Sequence, residues 1–317
     1  MRVMVTGAAG FVGRLLVERL LKQGSLRGQS IDILVLIDHC LDNIPDDPRV
    51  RLVSGSITEP SLLRRSLADG IDVVFHLVSV AGGAAEKNYT LGRQVNLMAS
   101  LELLSQLRDS VKPPVIVYAS SVAVYGGGLP AKMDEGYVPR PALAYGAHKL
   151  MVETELNDLS RRGEIDGRAL RLPGIVARPS EPNGLRSAFM SDLMQRLAAG
   201  EQYECPVSPE ASAWWMSAAC CVDNLLHAAE INVASSDSPR IWQLPVLRLS
   251  VGQVAEALFK ILGNDRRSLL SYRPEPDLET LFGRYPPIRT PLARERGFRN
   301  DISATNLVRN SLGYARR

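Results

Sequence analysis

Two groups of residues in this chain have the types and spacing to do chemistry. Thr6-Gly7-Ala8-Ala9-Gly10-Phe11-Val12-Gly13 is a glycine-rich turn, and Tyr145-Gly146-Ala147-His148-Lys149 sets a phenol and an ammonium four residues apart. On a helix that spacing puts both side chains on one face, with Cβ atoms about 5–6 Å apart. A free tyrosine, with a pKa near 10, is a poor base at neutral pH. An ammonium at about 5 Å, in an effective dielectric near 20, stabilises the phenolate by about 3 kcal/mol, or about two pKa units. The phenol then approaches working pH, where it can take a proton from an alcohol. Ser121, in Ser120-Ser121-Val122-Ala123-Val124-Tyr125-Gly126, follows an apolar run and carries a hydroxyl that could orient the reacting alcohol.

The glycine turn suits a dinucleotide pyrophosphate. It lies between an apolar run at residues 3–5 and a helical pattern at residues 11–23, which is the setting such a motif requires. Gly7 permits a tight turn, Gly10 a close backbone approach, and Gly13 close packing of helix on sheet. Phe11 and Val12 open the helix, whose N-terminal amides and partial positive charge face the phosphates. Asp38 ends the second predicted strand, where an acid accepts the ribose 2′-hydroxyl and repels a 2′-phosphate; His39 rather than arginine follows it, so NAD is favoured over NADP. Ser56 and Ile57 follow the third strand and could face the adenine edge. A purely structural strand–turn–helix and a surface aspartate are the bland alternatives.

The elements that must position these residues alternate. Strands are predicted at residues 3–5, 31–37, 49–53, 72–77, 115–118 and 169–172, and helices at 11–23, 91–107 and 145–162. Such alternation implies an α/β fold, a doubly wound parallel (Rossmann) sheet with right-handed crossovers, and a ligand crevice where the strand order reverses. Pro and Gly become frequent after Pro173, and helices and loops are expected to dominate there, at 188–199, 221–231 and 251–262. Residues 1–172 are read as the NAD-binding domain. Residues 173–317 are read as a smaller, discontinuous substrate-binding lid with segments returning to the sheet.

The 317 residues allow one large domain or two smaller ones. A formal net charge of +3 gives no general attraction to nucleic acid or membrane. Cys40, Cys205, Cys220 and Cys221 have no metal-ligand spacing, so no metal is expected and a reducing, cytoplasmic location is. No apolar run reaches the roughly 20 residues of a membrane span. The arginine-rich stretch from Arg284 reads as a solvated surface, with an anion or partner patch as the alternative.

Together, the glycine turn, His76-Leu77, Asn96 in Val95-Asn96-Leu97, Ser121 with Val124-Tyr125-Gly126, and Tyr145/Lys149 resemble the extended short-chain dehydrogenases/reductases, the class that includes sugar-nucleotide epimerases and dehydratases. The resemblance covers nearly the whole length. It implies that Ser121, Tyr145 and Lys149 form a catalytic triad, that Lys149 also holds the nicotinamide ribose, that Asn96 belongs to the cofactor site, and that backbone around Leu77, Val78 and Pro173 lines the nicotinamide end. It also implies a homodimer through the helices that begin near Leu91 and Tyr145. Two positions depart from the usual pattern: Ser56 stands where an acid is common, and Val78-Ser79 where an alanine pair is. Further stretches, residues 160–173, Arg178-Pro179 with Pro182-Asn183, and residues 224–230, resemble members of the class that oxidise the C2 hydroxyl of a four-carbon sugar acid with NAD. On that likeness Ser79, Ser121, Tyr145, Arg178 and Asn183 are the expected substrate contacts, with Arg178 gripping a carboxylate. The rivals are a nucleotide-sugar epimerase or dehydratase, which would keep NAD without net turnover, and a non-enzymatic dinucleotide-binding module. Trp214 and Trp215 read as core, and His76 as a packing or bonding residue at a strand end.

Overall fold

A computed structural model describes residues 1–110, 112–179, 187–233 and 239–313. The chain divides into two compact units. The first comprises Met1–Val124, Pro141–Arg171 and Val222–Gln243; the second comprises Tyr125–Arg140, Leu172–Cys221 and Leu244–Arg317.

The first unit is built on a seven-stranded sheet. In chain order its strands are β1 (Arg2–Thr6), β2 (Ile33–Asp38), β3 (Val50–Ser54), β4 (Val73–His76), β5 (Val115–Ser121), β6 (Asp166–Leu172) and a late-returning strand, Ile241–Gln243. Their spatial order is Ile241–Gln243, β6, β5, β4, β1, β2, β3. β1 pairs in parallel with both β4 and β2, so the chain reverses direction across the sheet at β1. That reversal opens a crevice at the carboxyl ends of β1 and β4, where the glycine turn lies. The central strands are apolar on both faces, as a doubly covered parallel sheet requires: Val3, Met4 and Val5, and likewise Val73, Val74 and Phe75, are fully buried.

α1 (Phe11–Gln23) buries Gly13, Leu16, Val17 and Leu20 and ends on Gly24 in the left-handed region, with its N–H returned to the Leu20 carbonyl. α2 (Pro60–Leu67) places proline at its start and buries Leu62 and Leu63. The expected helix over 91–107 is three pieces: α3 (Tyr89–Arg93), a wide π turn at Gln94–Met98, and α4 (Ala99–Arg108). α5 (Ala144–Arg161) carries Tyr145 and Lys149.

The second unit holds its own core. Strand Gly174–Val176 pairs in parallel with Ser212–Ser217, which pairs antiparallel with Leu247–Ser250. Helices Phe189–Ala199, Val251–Leu262 and Ala304–Leu312 supply much of its buried surface, including Leu193, Leu197, Leu258 and Leu307. Strands therefore contribute more to this half than the expectation of helices and loops allowed. They are three to six residues long, too short to show a clear alternation in sequence. Trp214 and Trp215 are buried core, their indole N–H groups donating to the Pro286 and Leu249 carbonyls at 2.7 and 3.0 Å.

Candidate active site

The glycine turn is held from both sides. Gly7 N–H donates to the Ile37 carbonyl at 2.9 Å, and Gly7 adopts φ +75°, a left-handed conformation that favours glycine. A Cβ on Gly7 would sit 2.7 Å from the Val78 backbone nitrogen, so the turn rests directly on the loop leaving β4. A Cβ on Gly13 would sit 2.0 Å from the Gly7 carbonyl oxygen, which is why the helix can pack so close to the turn only with glycine there. Gly10 precedes α1 in extended conformation and offers no side chain to cap it. The helix start is thus presented to a ligand rather than closed by the protein itself.

Asp38 stands beside that turn. Its Oδ2 accepts from Ala9 N–H at 2.9 Å and its Oδ1 from His39 N–H at 2.7 Å. Each carboxylate oxygen keeps further accepting capacity, which is what a ribose diol needs. Ser56 lies beyond β3 and shares a hydroxyl–hydroxyl bond of 2.7 Å with Thr58, while Ile57 is buried. Leu77 and Val78 are half-buried and Ser79 is exposed on the loop after β4. Asn96, 1% exposed in the π turn, does not point its amide at open space. Its Oδ1 accepts from Val80 N–H at 2.7 Å and its Nδ2 donates to the Val80 carbonyl at 3.0 Å, clamping that loop.

Ser121, Tyr145 and Lys149, the residues of the expected triad, lie on β5 and α5. A Cβ on Gly146 would lie 2.3 Å from the Ala123 carbonyl oxygen, so the first turn of α5 abuts the turn that follows Ser121. Ser121 Oγ accepts from Ala123 N–H at 3.1 Å within that turn. On the other side, a Cβ on Gly82 would lie 3.7 Å from Tyr145 Cβ, in ordinary contact, so the start of the short helix Gly82–Lys87 also borders the tyrosine. Lys149 is 1% exposed, donates to the Ala119 carbonyl at 2.7 Å, and holds its ammonium 4.7 Å from the Tyr118 ring centre and 5.6 Å from that of Tyr145.

Burial pushes the Lys149 ammonium down to about 7, and the Glu153 carboxylate opposes that fall. Glu153 is the site residue that sequence reasoning missed. It lies one further turn along α5, 1% exposed, and receives a bidentate pair from Arg171, with Nη2 at 2.7 Å and Nε at 3.0 Å. Ser120 also donates to it. The spacing Tyr145, Lys149, Glu153 was the available signal, since residues four apart form one stripe. His76 is buried and its pKa is pushed down to about 3, first by desolvation and then by Lys149.

Pro173 is buried between β6 and strand Gly174–Val176 in the second unit. Arg178, also in the second unit, is half-buried, and its backbone N–H donates to Ser191 Oγ at 3.0 Å. Asn183 lies outside the described residues. Among the described residues no group of His, Cys, Asp and Glu is arranged to hold a metal ion, and no helix is long and apolar enough to cross a membrane.

A parallel sheet with a side-chain-free helix start at its reversal point, and a Tyr/Lys/Ser set beside it, defines a Rossmann-fold dinucleotide enzyme. Residues 3–235 match the NAD dependent epimerase/dehydratase family, and the chain belongs to that family. It is an NAD-dependent dehydrogenase. It is 36% identical over 314 residues to D-erythronate dehydrogenase of Cupriavidus necator, covering 98% of this chain and 97% of that protein. It is 31% identical to D-erythronate dehydrogenase of Haemophilus influenzae, covering 99% of each. Among solved structures it is similar to the nucleoside-diphosphate-sugar epimerase from Agrobacterium tumefaciens, with a TM-score of 0.91 and 31% identity over 99% of this chain and 95% of that one.

Proposed function

We propose that the chain oxidises a secondary hydroxyl, at C2, of a small sugar acid such as D-erythronate, with NAD as the oxidant. The observation that carries the reading is the buried Lys149 ammonium seated beside the Tyr145 ring. The two full-length relatives named D-erythronate dehydrogenase support the substrate class.

The cradle fits NAD: glycines at Gly7, Gly10 and Gly13 leave the helix start bare, and Asp38 adds a carboxylate at its edge. Gly7, Gly10, Phe11, Val12 and Gly13 would hold the pyrophosphate. Asp38 would hold the adenosine ribose, Ser56 and Ile57 the adenine, and Leu77, Val78 and Lys149 the nicotinamide end, with Asn96 fixing the loop. Bound NAD supplies the hydride acceptor. Tyr145, as phenolate, takes the proton of the substrate hydroxyl. Lys149 stabilises that phenolate, by about 3 kcal/mol for charges about 5 Å apart in an effective dielectric near 20. Ser121 Oγ orients the alcohol, and exposed Ser79 offers a hydroxyl contact. By the sequence likeness, Pro173 would line the nicotinamide end and Arg178 and Asn183 would contact the substrate.

The working form is proposed to be a cytoplasmic homodimer. Tyr89, Leu91, Met98 and Met151, exposed by 58%, 43%, 43% and 45%, lie on α3, the π turn and α5, the helices expected to pair. Light scattering on the purified protein, with charged substitutions at Leu91 and Met98, tests the dimer.

NADH absorbance with D-erythronate, set against UDP- and GDP-sugars, tests the reaction. Net NADH with the sugar acid is expected. Conversion of a sugar nucleotide without NADH would favour the epimerase reading, which the Agrobacterium protein's name keeps in view.

A further inference from the structure

A chain of buried hydrogen bonds runs from the glycine turn to the loop after β4. Thr6 Oγ1 lies 2.7 Å from His76 Nδ1, and His76 Nε2 lies 2.8 Å from Ser100 Oγ. Ser100 Oγ donates to the Asn96 carbonyl at 3.1 Å, and the Asn96 side chain grips both polar groups of the Val80 backbone. Thr6, His76, Ser100 and Asn96 are each 1% exposed or less. A carbonyl only accepts, so the Ser100 proton goes to Asn96. His76 Nε2 must then carry the proton that Ser100 accepts, which leaves Nδ1 bare to accept from Thr6. Every proton in the relay finds an acceptor in this one direction. Reversing it would leave the Thr6 hydroxyl hydrogen without a partner along the relay, at the cost of an unsatisfied buried donor.

The groups around the imidazole enforce the neutral form. The Tyr118 ring stacks on it at 5.6 Å, and the Lys149 ammonium lies 4.7 Å from the centre of that same ring. No carboxylate bonds to the imidazole: its two nitrogens face hydroxyls. Buried polar chains of this kind rigidify what they connect when every member is satisfied. What this one connects is the end of β1, the π turn and the loop at Leu77–Val80. A π turn in a helix is a local irregularity that recurs at functional sites, and here it is what aims Asn96 at Val80.

We propose that His76 is a positioning residue for the cofactor, locked as the neutral Nε2–H tautomer and tying the glycine turn to the Val78–Val80 loop through Ser100 and Asn96. This rests on the reading of that loop as the border of the NAD site. His76 itself touches neither cofactor nor substrate in the proposal; it acts through Asn96 on the backbone that does.

The test uses the full chain. NAD dissociation constants are measured by calorimetry for wild type, His76→Phe and Ser100→Ala, alongside kcat at saturating NAD. His76→Phe keeps the stack on Tyr118 and removes both nitrogens; Ser100→Ala breaks only the middle of the relay. Each is expected to weaken NAD binding about tenfold, in line with the loss of a buried hydrogen bond, while kcat changes by no more than about twofold. Hydrogen exchange at the Val80 amide should speed up in both. Folded variants with wild-type NAD affinity would overturn the relay while leaving the NAD reading intact. A wild type that does not bind NAD would overturn the reading itself. Independently of any variant, imidazole nitrogen NMR shifts of the wild type between pH 5 and 9 should show His76 protonated at Nε2 and bare at Nδ1; the opposite tautomer, or an imidazolium in that range, refutes the proposal.

Discussion

Lys149 Nζ lies 5.6 Å from the centre of the Tyr145 ring, one helical turn away, and donates to the Ala119 carbonyl at 2.7 Å. In the proposed mechanism the ammonium acts on the phenol through its field. For an ammonium about 5 Å from a phenolate, in an effective dielectric near 20, the interaction is about 3 kcal/mol. Lys149→Met should move the limb on which kcat/KM rises with pH upward by about two units. At neutral pH the rate should fall about a hundredfold, and much of it should return at high pH. Tyr145→Phe should lose the activity at every pH while NAD binding persists. A Lys149→Met profile that keeps the wild-type shape would contradict the mechanism.

Glu153 is the counter-charge that keeps the buried cation affordable. Removing its charge in Glu153→Gln leaves Arg171 without its bidentate partner. Breaking one side of a buried pair typically costs about 3–5 kcal/mol, so the urea midpoint should drop sharply. Because Glu153 raises the proton affinity of Lys149, the same variant should also make Lys149 lose its proton at lower pH. A loss of stability below about 1 kcal/mol would mean that the network is not tight in solution.

Gly146 separates chemistry from cofactor binding. Its Cβ position lies 2.3 Å from the Ala123 carbonyl, and backbone cannot swing aside as a side-chain tip can. Gly146→Ala should push the start of α5 away from the turn after Ser121. The expected result is a fall in kcat of about tenfold to a hundredfold, as misplacement of reacting groups gives, with the NAD dissociation constant little changed. Steady-state kinetics and calorimetry on one sample decide it.

Asp38 is the residue proposed to set the choice of dinucleotide. Asp38→Ala removes the carboxylate that would bond a ribose diol and repel a 2′-phosphate. NAD affinity should fall about tenfold, and the preference over NADP should narrow by at least as much. Unchanged discrimination in competing NAD and NADP assays would place the selecting group elsewhere.

His76 makes the fold sensitive to acid. Its folded-state pKa is depressed from 6.5 to about 3, so the unfolded chain binds a proton that the folded chain refuses. The corresponding stability is fully present above about 6.5 and is lost as the pH falls toward about 3. Each such proton costs about 1.4 kcal/mol per pH unit in that window. Urea unfolding at pH 6 and pH 5, above the carboxylate range, should show a loss of about 1.2 kcal/mol from this group, because the unfolded histidine is not fully protonated at pH 6. His76→Phe should reduce it.

The most local features were the most legible. The glycine turn, the Phe11–Gln23 helix and the Tyr145/Lys149 stripe each depend on residues within a few positions of one another, and the α/β alternation follows from apolar runs of the right length. Short elements were not: α2 offers only eight residues, and strand Ile241–Gln243 only three. Neither is long enough to display a period, and both are stabilised by what they pack against.

Residue type and spacing alone determined that a phenol and an ammonium would share one helical face, and that a bare helix start would follow the first strand. Tertiary structure alone decided the charge state and aim of those groups. Glu153 meets Arg171 across 18 residues of chain, His76 meets Thr6 across 70, and Asn96 reaches Val80 only through a π turn. Desolvation and hydrogen-bond direction are properties of the packed interior, and no sequence period encodes them.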